Sequence, residues 1–208
     1  MTYFDVETTA APNAAEFIPD PKPPGSMKKA DTIAEWERTE KPKLIEQALA
    51  EAALSPLTGM VLAIGVLTDD ETTIFEGPED FLLQAFWAYF TAHRNRGLEQ
   101  WVGFNSSGFD WPFLVKRSWI VGVKPARIFD DRGYLPDSLI DLRKVWCCGD
   151  RQAHGSLDVL CRLMSLGSKT GSGADFGKLY LDMKTREQAL EYLRNDLALT
   201  RKLGERLL

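Results

Sequence analysis

The sequence predicts an α/β fold, and three observations carry that expectation. The chain opens on a strand, MTYFDVETTA. A continuous apolar, β-branched run follows at Gly59 to Leu67, which reads as a central strand covered on both faces. Beyond it, stretches of helical apolar spacing alternate with short strands, the order of elements that builds a sheet layered with helices.

In the opening strand, side chains at i and i+2 project to the same face, so Asp5 and Glu7 point at one small volume, with Thr8 and Thr9 next to them. Two acids sharing a site repel, and one holds its proton unless a cation bridges them. Oxygen-only ligands suit magnesium or manganese rather than zinc. The plain alternative is a strand end with solvated carboxylates.

Residues 10–56 form an insertion. Its first part carries Pro12, Pro19, Pro21, Pro23 and Pro24 and is expected to be irregular. Helices are expected at Thr32 to Arg38 and Lys43 to Leu54, broken at Pro42. Lys28, Lys29, Lys41 and Lys43 either touch substrate phosphates or form solvated faces. The whole chain, 1–208, is read as a single domain carrying this insertion.

After Gly59 to Leu67, Asp69 and Asp70 turn the chain into a hairpin partner at Thr72 to Phe75. Glu79 to Arg94 is a helix whose aromatic residues are core-facing. Gln100 to Asn105 is a short strand, and Asp110 then stands where the helix Phe113 to Val121 is approached, with Pro112 in the first turn. Asp110 is either an N-cap or a third carboxylate of the site at the C-terminal edge of the sheet. Further strands are expected at Ala126 to Phe129 and Leu139 to Leu142, with Asp141 in a supporting role. Ser156 to Leu166 is helical, and the glycine-rich stretch Gly167 to Gly173 is either a linker or a loop bringing Lys169 to a phosphate.

A last helix is expected from a capping box at Thr185 and Gln188 to about Leu203, with Gly204 as its stop. Tyr192 and Asp196, four apart, stack on one face at the edge of a leucine stripe.

The net charge of −5 argues against holding a polyanion through bulk positive charge, although acidic clusters become cation sites once they hold metal. Cys147, Cys148 and Cys161 are too irregularly spaced for a disulfide framework, so a reducing compartment is expected. Together with His154 they lack the C-x2-C knuckle of a zinc site. No stretch reaches membrane-spanning length and no leader pattern opens the chain, which makes a cytoplasmic protein the expectation.

Asp5-Val6-Glu7, Asn105 through Phe109-Asp110, and Tyr192 through Asp196 together resemble the three motifs of the DnaQ-like, or DEDD, 3'-5' exonucleases, in the same order. The tyrosine four before the last aspartate matches the DEDDy subgroup; the histidine subgroup has its residue five before, where this chain has Glu191. The insertion and the segment Leu57 to Val61 resemble predicted exonucleases related to the proofreading domain of family B DNA polymerases.

The resemblance implies an RNase H-like mixed sheet, strands one to three antiparallel, with helices on both faces. It implies two divalent cations, Mg2+ or Mn2+, held by Asp5, Glu7, Asp110 and Asp196, with Tyr192 orienting the attacking water. Thr8 and Asn105 are candidates for hydrogen bonds to the terminal nucleotide, Phe109 for packing against it, and Lys169 for a phosphate. The implied reaction releases 5'-mononucleotides from single-stranded or frayed 3' ends, DNA ahead of RNA. An RNA-trimming enzyme, a non-catalytic nucleic-acid-binding module and a D-x-D-x-T phosphatase are the alternatives. The phosphatase fits poorly because its second acid is Glu7 here and it gives Tyr192 and Asp196 no task.

Overall fold

The computed structural model describes residues 1–94, 100–126, 138–150 and 155–208. The expected strand at Ala126 to Phe129 and His154 of the rejected zinc set fall wholly or mainly outside these residues. Five strands, β1 (Thr2–Ala10), β2 (Gly59–Leu67), β3 (Thr72–Glu76), β4 (Trp101–Gly103) and β5 (Leu139–Asp141), form one sheet in the order β3-β2-β1-β4-β5. β2 and β3 pair antiparallel, whereas β4 runs parallel to both β1 and β5, so the sheet is mixed.

The alternation of β1 sorts its side chains between two cores. Phe4 and Val6 enter an aromatic-rich cluster with Phe86, Trp87 and Phe90 of α4 (Glu79–Arg94) and Trp111 and Leu114 of α5 (Asp110–Ile120). Tyr3, on the opposite face, packs with Leu199 and Leu203 of α9 (Arg186–Leu207) and Leu160 of α7 (Leu157–Leu163). Asp5 and Glu7 share Tyr3's parity and therefore its face. Short α6 (Leu142–Cys147) follows β5, and α8 (Gly173–Leu181) packs on α9 through Phe176 and Tyr180.

Glu79 ties the first core together. Its carboxylate accepts from the Val61 backbone N–H at 2.8 Å and from Arg117 Nε and Nη2 at 2.9 and 2.6 Å, so a buried charge pair is fully hydrogen-bonded.

Contacts divide the chain into two compact units, Met1–Glu7 with Val61–Leu208, and Thr8–Met60. Within the second, α1 (Ala14–Phe17), α2 (Ala30–Thr39) and α3 (Lys41–Ala50) are followed by a 3-10 turn at Ala52–Leu54. Pro42 sits in the first turn of α3, where its missing N–H costs nothing, and Trp36 is buried. Thr8 Oγ1 donates to the Ala53 carbonyl at 2.8 Å, and Thr58 Oγ1 to that of Ala52 at 2.9 Å.

Two helix signals act differently from expectation. Thr185 is the N-cap of α9, but its hydroxyl donates to the Leu179 carbonyl at 2.8 Å instead of completing a capping box. Gly204 does not stop α9, which runs to Leu207. It is buried against Tyr3, and a Cβ there would lie 2.7 Å from Tyr3 Cε1. The glycine answers to close approach of helix and strand rather than to a terminus. Gly204→Val is expected to cost about 1–3 kcal/mol through overpacking. Thermal unfolding checks this: a lowered Tm is expected, and an unchanged or raised Tm contradicts the close-packing account.

Candidate functional site

β4 and β5 end at Gly103 and Asp141, while β1 continues to Ala10. Asp5 therefore lies where the loops after the two parallel strands gather. Asp5 and Glu7 meet Asp196 of α9, and one carboxylate oxygen from each lies within 4.8 Å of the other two. Glu7 and Asp196 are buried and Asp5 is half-buried. Asp110 joins through the backbone. It is the first residue of α5 rather than the cap, and its Oδ1 accepts from the Val6 N–H at 3.2 Å.

Lys169 brings a positive charge into this group. Its ammonium donates to Asp196 Oδ2 and, at 3.0 Å, to Tyr192 Oη, and it lies 5.3 Å from the centre of the Tyr192 ring. The Lys169 backbone N–H donates to Asp158 Oδ1 of α7 at 2.8 Å, which anchors the loop. Gly171 has a steric reason, since a Cβ there would stand 3.2 Å from the Tyr192 ring. This loop packs on the site.

The loop after β4 is equally fixed. Asn105 adopts a left-handed backbone with φ 62°, a conformation asparagine tolerates better than most residues. Asp141 at the end of β5 accepts from the N–H of Asn105 at 2.9 Å, from the N–H and hydroxyl of Ser107 at 3.0 and 2.6 Å, and from the N–H of Arg143 at 3.0 Å. The supporting role expected of Asp141 is thus a clamp on this turn. Asn105 Oδ1 accepts from Arg143 Nη1 at 3.1 Å, and Phe109 packs on Phe113, ring centres 5.3 Å apart. A cleft of about 480 Å3 is lined by Asp5, Asn105, Arg143, Lys169 and Asp196 among others. Thr8 belongs to the other compact unit, its hydroxyl hydrogen committed to Ala53. Arg143 had no motif to announce it; the one signal is its place two residues after a buried strand aspartate.

Electrostatics follow from burial. Asp5 is pushed up to about 7, first by loss of solvent and then by the Asp196 charge. Burial, with Asp5 as the next cause, also raises Glu7 and Asp110. Asp196 is raised by burial, with Lys169 pulling against the rise. Burial alone would lower Lys169, but the Asp196 carboxylate outweighs it and holds the ammonium above its ordinary value. Burial raises the Tyr192 phenol, which keeps its proton.

Hard divalent cations fit this donor set. The facing atoms are all carboxylate oxygens, and Asp196 Oδ1 is buried with no hydrogen-bond partner among the described residues, an acceptor left for a ligand.

The mixed five-stranded sheet with its helices is an RNase H-like α/β fold. The structure is similar to the family B DNA polymerase of the hyperthermophilic archaeon Pyrobaculum calidifontis, with TM-score 0.65 and 20% identity over 99% of this chain; the chain spans 24% of that polymerase. The chain matches, over residues 43–201, the family described as predicted 3'-5' exonucleases related to the exonuclease domain of PolB, and it belongs to that family. Asp110, Tyr192 and Asp196 lie inside the matched segment, and Asp5 and Glu7 before it. No curated protein matches the sequence.

The raised acids fix a sign for pH dependence. A carboxyl with a folded pKa above its unfolded value binds more protons in the folded state, so the stability it contributes at low pH is lost as pH rises through the folded pKa. From Asp5, that window runs from its ordinary value of 3.8 to about 7. Metal-free protein is expected to melt lower at pH 8 than at pH 5, with Mn2+ raising Tm more at pH 8. Asp5→Asn should flatten both effects. Calorimetry showing equal Mn2+ shifts at the two pH values contradicts the shared-site electrostatics.

Proposed function

We propose that the chain is a metal-dependent 3'-5' exonuclease of the DEDDy type that hydrolyses the terminal phosphodiester of single-stranded or frayed DNA and releases 5'-mononucleotides. The observation that carries this reading is the meeting of Asp5, Glu7 and Asp196 oxygens within 4.8 Å. Family membership supports it. The chain is treated as one exonuclease domain bearing residues 10–56 as an insertion, in the cytoplasm, where the thiols of Cys147, Cys148 and Cys161 would stay reduced. No helix among the described residues is long and apolar enough to cross a membrane.

In this reading Asp5, Glu7 and Asp196 would hold one divalent cation, and Asp5 with Asp110 would hold a second. Mg2+ or Mn2+ at such a site makes water acidic and neutralises charge at the scissile phosphate and the leaving 3' oxygen. The chain's own groups do the positioning. Tyr192, a buried phenol that keeps its proton, directs the attacking water by hydrogen bonding and does not remove its proton. Lys169 bonds Tyr192 Oη and Asp196 Oδ2, and its ammonium would be available to a substrate phosphate if the acids held cations. Asn105 lies at the cleft wall, a candidate for the terminal nucleotide, and Phe109, which packs on Phe113, is the candidate for its sugar or base. Thr8, whose hydroxyl oxygen still has a lone pair to accept with, is the remaining candidate contact.

A single strand labelled at its 5' end, incubated with Mn2+, should shorten stepwise from the 3' end. Tyr192→Phe should slow this by about a hundredfold through lost positioning, and Asp5→Ala by more. An intact strand, or one shortened equally by Asp5→Ala, rules the reading out. An RNA strand of the same sequence ranks the two nucleic acids.

A further inference from the structure

The cleft poses an electrostatic problem of its own. Asp5 and Asp196 line it, Glu7 and Asp110 stand behind, and the chain carries a net charge of −5, yet the proposed substrate is a polyanion. Cations can neutralise the scissile phosphate, but each neighbouring phosphate needs a separate positive partner. Lys169, paired with Asp196 in this structure, serves at most one phosphate when the acids hold cations, so a further phosphate needs a second cation. Arg143 lines the same cleft, is half-buried, and among the described residues pairs with no carboxylate. Its recorded side-chain bond is the single one from Nη1 to Asn105 Oδ1, which leaves most of the five guanidinium N–H donors open.

That bond is set rather than incidental. Asp141 holds the backbone N–H groups of Asn105, Ser107 and Arg143 with one carboxylate, which fixes the left-handed turn that carries the asparagine and the helix start that carries the arginine. A neutral amide oxygen is a fitting partner here. It orients a guanidinium without cancelling its charge, which a carboxylate would do.

We propose that Arg143 is a substrate-binding residue that grips a non-scissile backbone phosphate next to the cleaved bond, with Asn105 as the positioning residue that aims it. Asn105 acts on the nucleotide through Arg143. The inference rests on the exonuclease reading of the same cleft.

The test measures binding of a short fluorescent single-stranded DNA in Ca2+ across a salt series, for the wild type and for Arg143→Ala, Arg143→Lys and Asn105→Ala. Arg143→Ala is expected to weaken binding about five- to tenfold and to reduce the slope of log K against log salt by about 0.7, the share of one phosphate contact on a single strand. Arg143→Lys should keep the slope while losing part of the affinity, since a point charge cannot reproduce the fork. Asn105→Ala should weaken binding in the wild type and have little effect once Arg143 is alanine. In strands with one uncharged methylphosphonate linkage beside the scissile bond, the wild type should lose affinity and Arg143→Ala should not. Melting curves identify any variant that fails to fold, and the linkage experiment on the wild type then decides alone. An unchanged slope in folded Arg143→Ala, or a wild type indifferent to the neutral linkage, overturns the inference while leaving Mn2+-dependent shortening intact. A wild type that neither binds nor shortens the strand overturns the exonuclease reading, and this inference with it.

Discussion

Carboxylates from the two ends of the chain share one poorly hydrated place, and much of the local structure is arranged around that conflict. Asp5 and Glu7 come from the first strand and Asp196 from the last helix, with oxygens within 4.8 Å of one another. Burial raises the affinity of all three for protons, and repulsion within the cluster adds to the rise at Asp5 and Glu7. The Lys169 ammonium offsets part of the charge, and Asp196 Oδ1 remains without a donor. A fold with only stability to serve would gain from replacing such a cluster with apolar side chains. The proposed cation-binding function gives such a cluster a use.

The surrounding architecture can be followed from that demand. β1 must be central to present Asp5 and Glu7 on one face while Phe4 and Val6 anchor the other in an aromatic core. α9 must approach β1 closely to deliver Asp196, which explains Gly204 against Tyr3. Gly171 lets the loop of Lys169 lie on Tyr192, and Asp141 holds the opposite wall in a turn that regular hydrogen bonding would not form. Rigid walls of this kind are what positioning chemistry requires.

Periodicity made the main elements legible. The apolar run at 59–67, the helical spacing at 79–94 and the late leucine stripe give β2, α4 and α9 within a few residues of their observed bounds. Short helices escaped. α6 has 6 residues, too few to show a period, and α8 begins on Gly173, inside a stretch whose composition reads as linker. Gly204 and Thr185 carry terminus chemistry in the sequence but serve packing and a loop carbonyl instead. At the site, spacing assigns Asp5 and Glu7 to one face and Tyr192 and Asp196 to another, and the three motifs suggest their company. That Lys169 lies on Asp196, or that Arg143 rests on an asparagine amide, depends on long-range packing that no local pattern encodes.

The central claim is that the acids of β1 and α9 form one cation-binding centre whose charge Lys169 balances in the metal-free protein. Anomalous diffraction from crystals soaked in Mn2+ tests it directly. The account requires an anomalous peak bridged by Asp5, Glu7 and Asp196, with the Lys169 ammonium moved off Asp196. Crystals that show no peak among these carboxylates, with Lys169 still on Asp196 at saturating Mn2+, would contradict it.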